Sequence, residues 1–283
     1  MGVLVMADVR EEVVLITGCS SGIGWALAEE FVRTGHRVVA TARNVETIAS
    51  LEGPRVLTTR LDVTRADEIE RVIAEVLAWA GRIDLLVNNA GSGLIGPTAE
   101  VDLADLRRQF ETNVVGPVAL IQAVVPQFVA QGSGRIVNIG SVSGVTATPF
   151  AGAYCGSKAA LHLLSDALRM ELAPFGIQVI TVQPGAIASN FGAHAADGLE
   201  RYRSNSLYSS IAEFIEARAG LSQSDATPAE DFAREVVRAV TRTRPPAVLR
   251  TGRGSRRLPA IGRLPQPIRD CLLGKRFGLD RLG

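Results

Sequence analysis

Apolar and polar positions alternate along this chain with two periods. EVVLITG (12–18) is a short β-branched run ending in glycine, and WALAEEFVRTG (25–35) follows it with apolar residues at mixed spacings of three and four. A strand and then a helix are predicted. The unit recurs as HRVVATA before a helix from Asn44, RVLTTRLD before ADEIERVIAEVLAWA, and RIDLLVNNAG before VDLADLRRQFETNV. GRIVNIGS then follows a helix around 117–131, IQVITVQPG follows a helix of about 154–173, and PPAVLRTG (245–252) reads as a last strand. Strands separated by helical stretches imply right-handed crossovers and a parallel sheet. The near-continuous apolar runs VVLIT and DLLVN place that sheet between two helical layers. The expected fold is α/β, a doubly wound parallel sheet of about seven strands with helices on both faces. One domain is expected over 1–252, with a lid at about 190–225 and an appendage at 253–283.

Composition narrows the function classes. Its 283 residues, 47% apolar and 21% charged, suit a globular chain that buries a large core. A net charge of +1 supplies no global basic field, so no nucleic-acid partner is expected. Cys19, Cys155 and Cys271 form neither a disulfide framework nor a CxxC site. Metal binding is not expected, and a cytoplasmic location is. The opening MGVLVMADVREE lacks the basic region and cleavage site of a signal peptide. The apolar run at 114–130 is interrupted by Gly116, Pro117 and Pro126 and falls short of the ~20 residues of a bilayer span, so no transmembrane helix is expected. Charge is uneven: residues 242–283 hold eleven Arg and Lys against Asp270 and Asp280, a balance of +9 that leaves −8 for the rest. A solvated tail over the core explains this; attraction to an anionic substrate or a peripheral contact with a membrane surface explains it too.

In a sheet of this kind, ligands bind beyond the carboxyl ends of the strands. The first such end is TGCSSGIG (17–24), whose glycines at 18, 22 and 24 allow a tight turn, close approach of backbone to a pyrophosphate and close packing of the next helix. A phosphate loop of the GxxxxGK type is disfavoured, because the lysine is missing. Further along, YCGSK (154–158) opens a helix and sets a phenol and an ammonium at i and i+4, on one helical face. A neighbouring cation stabilises phenolate and moves a tyrosine down from its ordinary value near ~10, which makes Tyr154 a usable acid and base beside Lys158. Ser141, at the end of RIVNIGS, can hydrogen-bond the same reacting oxygen. A packed ring and a snorkelling lysine stem are the plain alternative for that pair.

TGxxxGxG, NNAG at 88–91, Ser141 and YxxxK at 154–158, in this order, resemble the short-chain dehydrogenase/reductase family over about residues 11–190. Within it, TGCSSGIG, SGLIGP and PFAGAYCGSKAAL look similar to 17β-hydroxysteroid dehydrogenases and acyl-dihydroxyacetone-phosphate reductases. The resemblance implies a Rossmann-like domain that moves hydride between a nicotinamide dinucleotide and a carbonyl or secondary alcohol, with Asn113, Ser141, Tyr154 and Lys158 catalytic. In the family the lysine also binds the nicotinamide ribose, and the asparagine matched by Asn113 holds a water that feeds protons to it. Cofactor contacts implied are Gly18, Ser20, Ser21, Gly22, Ile23 and Gly24 at the first turn, Asp62 and Val63 at the adenine, and Asn89, Ala90 and Gly91 at the adenosine ribose. Pro184, Gly185, Ile187 and Ser189 match the turn facing the nicotinamide, with Ser189 where many members carry Thr; Asn88 reads as structural.

Ala42 stands where NAD-preferring members carry Asp, and Arg43 follows with a guanidinium able to grip a 2′-phosphate, so NADP(H) is expected over NAD(H). The substrate is expected to be a small carbonyl or alcohol of apolar character, a ketone, steroid or lipid-like molecule. Acyl-dihydroxyacetone-phosphate reduction at a membrane surface and a nonenzymatic NADPH sensor are the alternatives. Phe191, Tyr202, Tyr208 and Phe214 in the lid line a pocket or simply anchor it. His36, His162 and His194 read as structural or solvated. Family members commonly pair into homodimers or homotetramers, which is the assembly expected here.

Overall fold

The computed structural model describes residues 11–189, 198–221, 223 and 225–282. Its seven strands, β1 (Val13–Ile16), β2 (Arg37–Ala42), β3 (Val56–Arg60), β4 (Leu85–Asn88), β5 (Gly134–Ile139), β6 (Ile177–Pro184) and β7 (Val248–Thr251), form one parallel sheet in the order β3-β2-β1-β4-β5-β6-β7. Each run predicted as a strand is one. The order reverses direction between β1 and β4, which opens a crevice at their carboxyl ends, where the glycine turn and NNAG both lie.

Alternation along β1 shows how the two layers are divided. Val14 and Ile16 face one side, packing with Leu27 and Phe31 of α1 (Gly22–Arg33) and with Phe232 and Val236 from a helix late in the chain. Val13 and Leu15 face the other, against Ile69, Val72 and Val76 of α2 (Ala66–Ala80) and Leu120, Val124 and Phe128 further on. The remaining helices are α3 (Leu103–Phe110), α4 (Gly116–Gln131), α5 (Gly152–Leu172), α6 (Ala212–Gly220), α7 (Ala229–Val240), α8 (Arg257–Ile261) and α9 (Gln266–Arg276).

Two helices differ from expectation. The helix from Asn44 is a 3-10 segment, Val45–Leu51; Asn44 caps it by accepting from Glu46 N at 3.1 Å, and Gly53 and Pro54 stop it. The helix expected from VDLADLRRQFETNV begins at Leu103 behind the cap Asp102 and does not end at 114. It widens into a π turn, Glu111–Val115, and continues as α4. Pro117 has no N–H for the carbonyl of Asn113, four residues back, and Gly116 N bonds instead to Glu111 O, five residues back. The joined stretch Leu103–Gln131 is long and apolar enough to cross a membrane by length and composition, yet Leu120, Ile121, Val124 and Phe128 within it belong to the core.

Among the described residues, the lid contains 3-10 turns Leu199–Arg203 and Ser209–Ile211 followed by α6. Phe191 and His194 lie outside the described residues. The appendage docks on the lid through its apolar side: Leu273 and Phe277 join Ile95, Phe150, Cys155, Tyr202 and Ile215 in one buried cluster, while Arg256, Arg257, Lys275 and Arg276 stay exposed. Phe150 meets Tyr208 and Phe277 edge-on at 5.6 and 6.5 Å between ring centroids. Tyr202, Tyr208 and Phe214 therefore anchor the lid. Phe277→Ala is expected to cost about 3 kcal/mol of stability and to raise amide hydrogen exchange across residues 198–221 more than across β1 and β4; unchanged exchange in the lid would show that the tail does not hold it.

Candidate active site

The first strand end is shaped by close backbone approach. Gly18 adopts φ +72, and a Cβ there would stand 2.8 Å from Ala90 Cα; a Cβ on Gly24 would run into the Gly18 carbonyl. Asn89 ties the two turns together, its Nδ2 donating to Thr17 O at 2.9 Å and Gly18 O at 3.0 Å. Thr17 Oγ1 accepts from Asn89 N and Ala90 N, each at 3.0 Å. Ser21, the N-cap of α1, makes no side-chain cap bond, so the amides of the first turn at Gly22, Ile23 and Gly24 are left without that acceptor. A bare helix N-terminus behind a glycine cradle fits the pyrophosphate of a dinucleotide. Asn88 has a structural part: its Nδ2 donates to Asn138 Oδ1 at 2.8 Å, and Asn138 Nδ2 to Ser165 Oγ at 2.8 Å, a buried polar chain linking β4, β5 and α5.

Asn113, Ser141, Tyr154 and Lys158 arrive from three elements and meet beyond β4 and β5. Lys158 is buried, and its Nζ donates to Ile139 O at the end of β5 at 2.8 Å. Asn113, in the π turn, holds Ser92 at both ends, Oδ1 accepting from Ser92 N and Nδ2 donating to Ser92 O, each at 2.9 Å. The same Nδ2 donates to Ser157 Oγ at 3.1 Å, joining the turn to α5. A Cβ at Gly91 would lie 3.3 Å from Asn113 Oδ1 and 3.5 Å from Lys158 Nζ, which locates the amide and the ammonium around one point. Ser141 Oγ accepts from Ser143 N at 3.1 Å and is hydrogen-bonded to Tyr154.

The electrostatics correct one expectation. Burial pushes the Tyr154 phenol up to about 12, outweighing the hydrogen bond with Ser141 and the positive charge of Arg218, both of which lower it. Lys158 does not bring the phenol down in this state. Its Nζ is 6.0 Å from the tyrosine ring centroid and turned to the Ile139 carbonyl, and burial lowers its own pKa to about 8. At neutral pH the phenol holds its proton, as a proton donor requires.

His162 supports the Ser141 loop from below. Its Nε2 accepts from Ser141 N at 3.4 Å, and Cβ atoms at Gly140 or Gly144 would strike its ring. Burial, then the charge of Lys158, lowers its pKa to about 4, so the ring stays neutral and able to accept.

Arg43, expected to face a 2′-phosphate, is exposed at the tip of β2. Burial raises Asp62, but hydrogen bonds from Thr64 N and Oγ1 at 3.0 and 2.8 Å, then the charges of Arg43 and Arg60, hold it below its ordinary value. Val63 is buried in the core against Gly116. Ser20 is exposed beside the glycine turn. Beyond β6, Gly185 N bonds Thr251 O at 3.0 Å, Pro184 and Ile187 are buried, and Ser189 N donates to Gln223 Oε1 at 2.9 Å. A Cβ on Gly22 would sit 2.7 Å from Ser189 Cβ, so this turn closes over the start of α1. Arg60, Arg218 and Gln223 adjoin these residues and were missed by motif reading, whereas His162, read as structural, packs beneath the Ser141 loop. Arg60, two residues before Asp62 on a strand, was within reach of period-two reasoning; the others depend on distant packing.

A family model described as short chain dehydrogenase matches residues 12–199. The chain is 33% identical over 282 residues to the short-chain dehydrogenase RED1 of Pyricularia oryzae, with 98% of each chain covered. It is 40% identical over 179 residues to an NADPH-dependent 1-acyldihydroxyacetone phosphate reductase of Schizosaccharomyces pombe, covering 62% of this chain and 60% of the other. Among solved structures it is similar to a short-chain dehydrogenase from Streptomyces avermitilis (TM-score 0.77, 32% identity, 96% of this chain and 97% of that one). It is also similar to a short-chain dehydrogenase/reductase from Burkholderia phymatum in complex with NAD (TM-score 0.74, 26% identity, 86% and 90%).

Because the folded chain keeps His162 neutral down to about 4 while an unfolded chain protonates it near 6.5, the unfolded state binds more protons as pH falls below 6.5. This contribution to stability is therefore present above 6.5 and lost toward acid, on the order of 1–2 kcal/mol by about pH 5. Urea melts at the two pH values are expected to show that loss, and His162→Gln to reduce it; an equal loss in the variant would remove the histidine from the account.

Proposed function

The chain belongs to the short-chain dehydrogenase family of nicotinamide-dependent oxidoreductases, and on that premise we propose that it uses NADP(H) to interconvert a ketone and a secondary alcohol, with Tyr154 as proton donor and acceptor. The observation that carries this reading is the convergence of Ser141, Tyr154, Lys158 and Asn113 beyond the strand ends that also bear the glycine cradle. A bound nicotinamide cofactor would supply or accept the hydride. The first-turn amides of α1 would hold its pyrophosphate, and Lys158 and Asn89 its ribose groups. Tyr154, protonated at neutral pH, gives its proton to the substrate oxygen during reduction, and the Ser141 hydroxyl stabilises the charge developing on that oxygen. Lys158, with its pKa near 8, keeps most of its charge at neutral pH and restores the proton, while Asn113 fixes the turn around it.

Preference for NADP(H) rests on Ala42 and Arg43 at the tip of β2, where no acid stands to repel a 2′-phosphate, with Arg60 paired opposite Ala42 adding positive charge at the same edge. An apolar substrate is favoured by the apolar surroundings of the start of α5, where Ile95, Phe150 and Cys155 pack together. We place the protein in the cytoplasm as a homodimer or homotetramer acting on small molecules.

Tyr154→Phe is expected to lower kcat for ketone reduction by about 10²–10⁴-fold while leaving NADPH binding, followed by its fluorescence, nearly unchanged; turnover at the parent rate would refute the proton-transfer assignment. For Arg43→Asp, the ratio of kcat/KM with NADPH to that with NADH is expected to fall by at least about 10-fold, the loss of one charged hydrogen bond or more. An unaltered ratio would assign the preference elsewhere.

A further inference from the structure

Arg218 on α6 is buried, with 9% of its surface exposed. Its Nε and Nη2 both donate to a single neutral acceptor, Thr148 Oγ1, at 3.2 and 3.1 Å. No carboxylate among the described residues lies within 4 Å of it, although Arg33, Arg65, Arg82, Arg135 and Arg203 all have such partners. A guanidinium removed from water without a counterion is costly, and a chain usually keeps one only where something else supplies the charge. The nearby charged group that acts on it is another cation, Arg276 at the end of α9. Burial draws the Arg218 pKa down, Cys155 and Tyr154 oppose that, and Arg276 adds to it.

Its position relates this charge to the chemistry. Thr148 lies on the loop between Ser141 and Tyr154, and α6 packs through Ile215 and Ala219 against Phe150, Ala151 and Cys155. The guanidinium is near enough to Tyr154 to act on its phenol electrostatically. An apolar cluster adjoins it on the lid side.

We infer that Arg218, held by Thr148, is an anion subsite of the substrate pocket, so that the ketone reduced at Tyr154 carries an oxyanion, a phosphate monoester or a carboxylate, on an otherwise apolar body. The planar fork of donors on arginine suits either group, and Thr148 holds the guanidinium in place as the anion shares its donors. This assignment rests on the ketone-reductase reading and names the substrate class for it.

The test uses two matched pairs with NADPH: an alkyl dihydroxyacetone phosphate against its dephosphorylated alcohol, and a medium-chain keto acid against its methyl ester. The wild type is expected to show at least about 10-fold higher kcat/KM for the anionic member of one pair, which also tells phosphate from carboxylate. In Arg218→Met that ratio is expected to collapse toward one, with Arg218→Lys between the two. Equal turnover of both members in both pairs, or a preference that survives Arg218→Met, would overturn the subsite. Calorimetric binding of the anionic compounds to NADPH-loaded Tyr154→Phe, with and without Arg218→Met, decides the matter without turnover: binding weakened at least about 10-fold supports the subsite, and binding that is absent or unaffected removes it. If no ketone is reduced by the wild type while such binding is seen, the reductase reading fails and the anion site stands. Should Arg218→Met not fold, Thr148→Val takes its place, with a reduced anionic preference expected and an unchanged one counting against the proposal.

Discussion

A buried ammonium held by one strand-end carbonyl organises this protein. Lys158 Nζ donates to Ile139 O, and that bond pins the first turns of α5 to the end of β5. Tyr154 is carried on the same helix and Ser141 follows the same strand end, so this contact sets their relation together with the Ser141–Tyr154 hydrogen bond and the bond from Ser141 N to His162. Asn113 and Gly91 close around the ammonium from the other side. Burying a charge with so little compensation lowers stability, and here it also lowers the lysine toward neutrality. A fold that served only itself would place an apolar side chain there, and that cost supports the proposed role of Lys158 in chemistry.

The same low-polarity surroundings divide the roles of the titratable groups. Tyr154 is driven up and keeps its proton, Lys158 is driven down and gives its proton more readily, and His162 is driven down and remains a neutral acceptor beneath Ser141. Each shift is dominated by burial. The lid and the docked tail pack beside this site, in the cluster that includes Ile95, Phe150 and Cys155. Phe150 connects the two parts, touching Tyr208 of the lid and Phe277 of the tail from the loop that leads into α5.

Much of this was legible in the residues. The apolar runs that became β1, β4 and β5 had no other low-energy use, and the glycine turn and the i, i+4 pair were local patterns with a direct physical reading. Features that depend on competition were less accessible. The stretch after Asn44 has helical composition, but Gly53 and Pro54 leave room only for a 3-10 segment. Pro117 was visible, yet its consequence, a π turn that carries Asn113 into the site, follows only once α3 and α4 are one continuous element. The tyrosine shift was expected downward because the lysine was counted and the burial was not. Arg218 sits far along the chain from Tyr154, and nothing in its neighbourhood of sequence distinguishes it from a surface arginine; the absence of a carboxylate beside it among the described residues is a fact of tertiary packing.

The central claim, that the phenol of Tyr154 and the ammonium of Lys158 share one pocket with the reacting end of a nicotinamide cofactor, is most directly tested by a crystal structure of the wild-type chain with NADPH bound. The account requires the nicotinamide ring to lie against the Tyr154 and Ser141 hydroxyls, with Lys158 Nζ on the adjoining ribose and the pyrophosphate on the first turn of α1. A nicotinamide ring bound away from Tyr154, with the cofactor otherwise fully ordered, would contradict it.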